Sequence, residues 1–176
     1  MTDEVLWYFN GEWVSQSQVL ISPEGRGFNG DTIFDSFRTF GGKIFRLDDH
    51  IARLYRSLKY MQLEIDETPD RMKEICYEGM RRNTDMCEDG EFSFCPMVTR
   101  GPGGRPRDAH SPNVIVKVKG NASNGRLASL YDTGIPGVIV RTRSCPARSL
   151  DPKVKHHSRN NFAMADLDAA REAADG

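Results

Sequence analysis

Two tight turns near the N-terminus constrain the fold of this 176-residue chain more than any other feature. Val5-Leu-Trp-Tyr-Phe9 and Glu12-Trp-Val14 flank Asn10-Gly11. Asn-Gly supplies the two positive-φ positions of a type I′ turn, so the segment reads as a β-hairpin. Gly41-Gly42 turns residues 33–40 into residues 43–46 and gives a second hairpin. Between the two lies Gly25-Arg-Gly27-Phe-Asn-Gly30-Asp31, a literal G-x-G-x-x-G. A dinucleotide fingerprint needs a βαβ unit, whereas here a strand follows and no such unit surrounds it. The run reads as a glycine-rich approach loop, and a ligand contact and a plain turn explain it equally well.

Residues 33–40 read as one strand, in which alternate side chains share a face. Phe34, Ser36, Arg38 and Phe40 project one way; Ile33, Asp35, Phe37 and Thr39 project the other. Further strands are expected over residues 16–22, 91–100, 113–119 and 137–143. Pro96 implies an edge position or a bulge for the second of these. Ile51, Leu54, Tyr55, Leu58 and Met61 recur at helical spacing, with Asp48 or Asp49 as N-cap. His50, Arg53 and Ser57 form a second, polar stripe, and His50 and Ser57 taken alone read as a solvated face. Thr68-Pro69 starts another helix, with Met72, Ile75, Cys76, Gly79 and Met80 inward. A last helix is expected over residues 162–174.

The fold class is therefore α+β. Residues 1–120 are expected to form a small N-terminal α/β domain. Residues 121–130, rich in Gly, Asn and Ser, form a linker, and 131–176 begin a larger C-terminal domain. Hydrophobic content of 38% and charged content of 28% are ordinary for a globular chain. A formal net charge of -1 removes any global electrostatic case for nucleic acid or an anionic membrane. No apolar run reaches membrane-spanning length, and the acidic N-terminus lacks a signal-peptide pattern. Cys76, Cys87, Cys95 and Cys145 make no C-x-x-C pair and read as free thiols of a cytoplasmic protein. The adjacent His156 and His157 cannot easily share one metal, and no metal site is expected. The loop over residues 99–110 is glycine-rich and basic but lacks Gly-Lys-Ser/Thr. It reads as an anion-binding loop or a solvated loop with equal ease.

Lys155 sits in a polar, basic stretch between an apolar strand-like run and an alanine-rich helical run. A lysine at such a junction can aim its amine into a cleft while its neighbours hold the backbone. That is what a Schiff-base lysine requires. For an arbitrary lysine, a solvated loop is the commoner situation.

Three segments, in order, resemble the class IV (fold-type IV) pyridoxal-phosphate aminotransferases. They are Phe28-Asn-Gly-Asp-Thr-Ile-Phe-Asp-Ser-Phe-Arg38, then Gly42-Lys-Ile-Phe-Arg-Leu-Asp-Asp-His50-Ile-Ala-Arg53-Leu-Tyr-Arg-Ser57, and Asp151-Pro-Lys-Val-Lys155 followed by Asn161-Phe162. Val98-Thr-Arg-Gly101 is similar to the family's middle strand. The resemblance implies pyridoxal 5′-phosphate as cofactor, Lys155 as the catalytic Schiff-base lysine and Arg53 as the cofactor-phosphate ligand. It places Phe34, Ser36 and Arg38 toward the substrate. Arg107 and His110 fall near the loop that in D-amino-acid aminotransferases supplies carboxylate-binding groups, at a longer spacing than in those enzymes.

The implied reaction is transamination between an amino acid, of branched-chain or D type, and a 2-oxo acid, in a homodimer. Family members continue well past the position of Gly176, through a segment that carries the acidic partner of the pyridine nitrogen. A truncated chain with little activity of its own is therefore expected. Pyruvate elimination, as in aminodeoxychorismate lyase, is the rival within the family. A non-catalytic module binding an anion or a partner through residues 100–107 is the rival outside it.

Overall fold

The computed structural model describes residues 4–87, 90–108, 111–120 and 128–175. The first hairpin is β1 (Leu6–Phe9) and β2 (Glu12–Ser15), with Asn10 and Gly11 both at positive φ. The chain continues through β3 (Thr32–Phe34), β4 (Phe37–Phe40) and β5 (Lys43–Ile44) to α1 (Leu47–Tyr60) and α2 (Pro69–Arg82). Two long strands follow, β6 (Phe92–Thr99) and β7 (Asn113–Gly120), then α3 (Ala128–Thr133) and α4 (Asn160–Asp175). The strands form one sheet in the order β2-β1-β7-β6-β4-β5, and β3 also pairs with β6. Every pairing is antiparallel.

Both hairpin turns and the α+β class agree with the sequence reading, and several local expectations are corrected. The strand expected over 33–40 is broken at Asp35 and Ser36 into β3 and β4, both paired to β6. Pro96 lies in a central strand, not at an edge. Its carbonyl accepts from the Asp35 N–H, so its missing donor faces the interruption between β3 and β4. A short 3₁₀ turn, Gln16–Gln18, replaces the strand expected over 16–22. Residues 137–143 form no strand. The N-cap of α1 is Arg46, in the left-handed region; Asp48 and Asp49 occupy the first turn instead, where carboxylates suit the helix dipole. The expected linker falls mostly on residues 121–127, outside the described residues.

The core lies between one sheet face and the two helices. Ile51, Leu54 and Leu58 of α1 and Met72, Ile75 and Cys76 of α2 pack on Ile33, Phe37, Phe94, Val98, Val116 and Val118. Alternation explains this layer, because Phe94 and Phe37 are register partners, as are Val98 and Ile33. Asn83, buried at the end of α2, accepts from the Leu6 N–H at 2.7 Å and donates to the Leu6 carbonyl at 2.9 Å. That exchange fixes β1 against the helical layer. Asp35 shares the core-facing parity of Ile33 and Phe37, which puts a carboxylate among apolar side chains. It therefore requires partners.

Candidate active site

Residues 155–157 lie along the free edge of β3. The Lys155 carbonyl accepts from the Phe34 N–H at 3.0 Å, and the His157 N–H donates to the Thr32 carbonyl at 2.9 Å. Ile33 and His156 form the antiparallel bridge between these bonds. The Lys155 N–H donates to Ser57 Oγ of α1 at 3.3 Å, and Val154 is buried against the core. Gly30, at φ 78°, lets the segment approach. A Cβ there would stand 2.4 Å from Ser158 Oγ. The lysine is thus held by backbone bonds to a strand and a helix hydroxyl, not by the strand expected over 137–143.

The Lys155 ammonium position lies 4.5 Å from the centre of the Phe34 ring. The edge of His157 meets the same ring, with centroids 4.3 Å apart. Burial pushes the Lys155 amine below the usual lysine range, and Arg53 and Arg159 push it the same way, while Asp35 opposes them. The amine is therefore easier to deprotonate than a solvated lysine, as a nucleophile requires. Burial, with Arg159 nearby, lowers His156 and His157 as well, so both imidazoles favour the neutral form at pH 7.

Arg53 faces Asp35, which is fully buried. Nε donates to Oδ2 and Nη2 to Oδ1, each at 2.7 Å, and His50 Nδ1 stands 2.8 Å from Oδ1. Burial by itself would raise Asp35. The hydrogen bonds from Arg53 and His50 outweigh it and hold the carboxyl below its usual range. An ionised carboxylate only accepts, so His50 Nδ1 carries the proton of that contact. Arg53 and Lys155 line one cavity of about 240 Å³, together with Cys145, His156, Arg159 and Phe162.

The remaining expected site residues are placed as follows. Phe34 is buried beside Lys155. Ser36 is exposed at the strand break. Arg38 lies 4.6 Å over the Phe40 ring and donates to the Thr39 carbonyl, toward the second hairpin. Arg107 is exposed and does not line the cavity with Lys155. His110 lies outside the described residues.

The solvated-face reading of His50 and Ser57 is corrected: His50 pairs with a buried acid and Ser57 holds the Lys155 backbone. Sequence reasoning missed Asp35 and Arg159 as site residues. An acid on the apolar parity of a strand, with a His and an Arg one helical turn apart nearby in sequence, is the signal for Asp35.

The family model for class IV aminotransferases matches residues 32–176. The chain belongs to the class IV aminotransferases. A Methanocaldococcus jannaschii protein, provisionally assigned as a branched-chain-amino-acid aminotransferase, is 29% identical over 92% of this chain and 54% of its own length. The D-alanine aminotransferase of Staphylococcus aureus (strain N315) is 28% identical over 82% of this chain and 51% of its own. This class IV chain thus spans about half the length of the curated relatives it matches. Among solved structures, the T.th. branched-chain amino acid aminotransferase with pyridoxamine 5′-phosphate superposes with a TM-score of 0.81. The match has 23% identity and covers 98% of this chain and 57% of that one. The Escherichia coli branched-chain enzyme gives 0.79 at 19% identity, covering 97% and 57% of the two chains. These two likenesses show a shared fold. Among the described residues, no helix is long and apolar enough to cross a membrane.

Proposed function

We propose that this chain carries the lysine and the phosphate ligand of a pyridoxal-phosphate-dependent transamination between an amino acid and a 2-oxo acid. The observation that supports it best is that Lys155 and Arg53 line one cavity. The donor set fits the cofactor. An amine with a lowered proton affinity suits its carbonyl carbon, and a cationic fork suits its phosphate. When bound, pyridoxal phosphate supplies an electrophilic carbon and an electron sink.

The chain's own residues do the rest. Lys155, fixed by Phe34 N–H and Ser57 Oγ, holds its amine at one place beside the Phe34 ring. The Lys155 amine, more readily deprotonated than a solvated lysine, would take the proton from the substrate Cα. Phe34, buried beside the Lys155 amine, limits water around it. Arg53 anchors the phosphate end, so that the reacting end stays within reach of Lys155. The relatives' names include both branched-chain and D-alanine enzymes, and the amino donor is proposed to belong to one of these two classes.

The test is titration of the purified chain with pyridoxal phosphate, followed by borohydride reduction and peptide mapping. The expected result is one stable attachment, at Lys155, with a visible absorbance band before reduction. Attachment elsewhere, or equal attachment to Lys155→Ala, sinks the proposal. A panel of L-branched-chain and D-amino acids with a 2-oxo acid then assigns the donor.

A further inference from the structure

Asp35 engages the Arg53 guanidinium along one edge only, and Nη2 also stands 3.3 Å from His50 Nδ1. A guanidinium has five N–H groups, and a side-on carboxylate takes the Nε–H and one Nη2–H. Asp35 occupies that edge, with both contacts at 2.7 Å. The Nη1–Nη2 edge remains, and its two parallel N–H groups match the spacing of oxygens on a phosphate. Asp35 is fully buried while Arg53 is 40% exposed, so the carboxylate stands behind the guanidinium and away from solvent. Arg53 lines the cavity with Lys155, whereas Asp35 does not. His50 Nδ1 stands 2.8 Å from the same Oδ1 and adds a second contact to that oxygen.

Resting on the proposed cofactor reading, we infer that Asp35 is a positioning residue that turns the free edge of Arg53 toward the cofactor phosphate. It acts only through Arg53. The depressed proton affinity of Asp35 accords with this, since a protonated carboxyl would lose one of the two acceptors that fix the guanidinium plane. An arginine without that brace would sample several rotamers, and ordering it on ligand binding would cost affinity.

Equilibrium dialysis with pyridoxal phosphate, and with pyridoxal as the same ring without phosphate, tests the inference without requiring turnover. In Asp35→Asn, an amide NH₂ replaces one acceptor. Phosphate-ester binding is expected to weaken about tenfold or more, and pyridoxal binding less than about twofold. Asp35→Glu should recover part of the loss. In an Arg53→Gln background, adding Asp35→Asn should change the preference for the phosphate ester very little, since the two act as one unit. The double variant leaves no buried carboxylate, and in Arg53→Gln alone Asp35 keeps its contact with His50, so this pair serves where Asp35→Asn alone does not fold. Equal weakening toward both ligands, unchanged pyridoxal-phosphate binding, or a further loss of preference in the Arg53→Gln background overturns the inference. A wild-type chain that prefers the phosphate ester but gives no borohydride-stable bond at Lys155 overturns the proposed function alone. Lys155 attachment together with a preference for the phosphate ester that Asp35→Asn leaves unchanged overturns the inference alone.

Discussion

The region up to residue 120 and the region from residue 128 are held in different ways. The first buries Ile51, Leu54, Met72, Ile75, Phe94 and Val116 in a shared core. The second leaves Tyr131, Ile135, Ile139, Phe162 and Leu167 exposed, and of its described residues only Val154 is a buried core member. Its attachment at 154–158 runs through backbone and hydroxyl hydrogen bonds to β3, Ser57 and Gly30. Stability therefore resides in the first region, while Lys155 is delivered by the second. The comparison teaches that fold and lysine placement can be disturbed separately.

The sharpest separation is Lys155→Ala. It should remove borohydride-stable cofactor attachment entirely while leaving the thermal transition nearly unchanged, since the half-buried side chain is held mainly through its backbone. Leu54→Ala should do the reverse, costing about 2–5 kcal/mol of stability as a fully buried leucine, read by urea denaturation. Gly30→Val tests the seam between the regions. With φ at 78° and a Cβ 2.4 Å from Ser158 Oγ, it should cost about 1–3 kcal/mol. Trypsin should then cut after Lys153 and Lys155 sooner than it cuts within α1 and α2. Ser57→Ala should cost about 1 kcal/mol and slow cofactor attachment. Leu167→Ala, on the exposed side, should stay within about 0.5 kcal/mol, and a larger loss would break the comparison.

Two pH responses sharpen it further. Burial, Arg53 and Arg159 lower the folded-state proton affinity of Lys155, so the neutral amine persists to lower pH than in a solvated lysine. Arg159→Gln removes one repelling cation and should move the pH profile of cofactor attachment upward. Asp35 moves the other way in its effect on stability. Its folded carboxyl titrates below the unfolded one, so its contribution is present above the unfolded carboxyl range. It is lost as pH falls through the folded value. Acid unfolding of wild type compared with an Asp35→Asn variant reads this directly.

The legible parts were those set by local chemistry. Asn10-Gly11 and Gly41-Gly42 require positive φ at consecutive positions, and both turns formed. The α1 and α2 stripes follow a helical period that few other structures satisfy. The illegible parts depend on contacts between distant segments. The break at Asp35 and Ser36 arises where Pro96 offers no donor on that side, which neither strand reveals alone. Residues 137–143 alternate like a strand, but β propensity describes a half-buried surface, and Arg141 and Ile139 have no such surface here. Asp35, His50 and Ser57 looked solvated or ordinary because each is explained only by a partner more than a dozen residues away.

The docking of residues 155–157 on β3 has a further consequence. β3 is a buried strand whose second edge, among the described residues, is paired by this polar segment. If the segment lifts away, the chain loses its proposed amine nucleophile and at the same moment uncovers a hydrogen-bonding edge that another copy could pair with. Inactivation and the first step toward aggregation would then be one event, and a ligand gripping Lys155 would act as a guard on solubility.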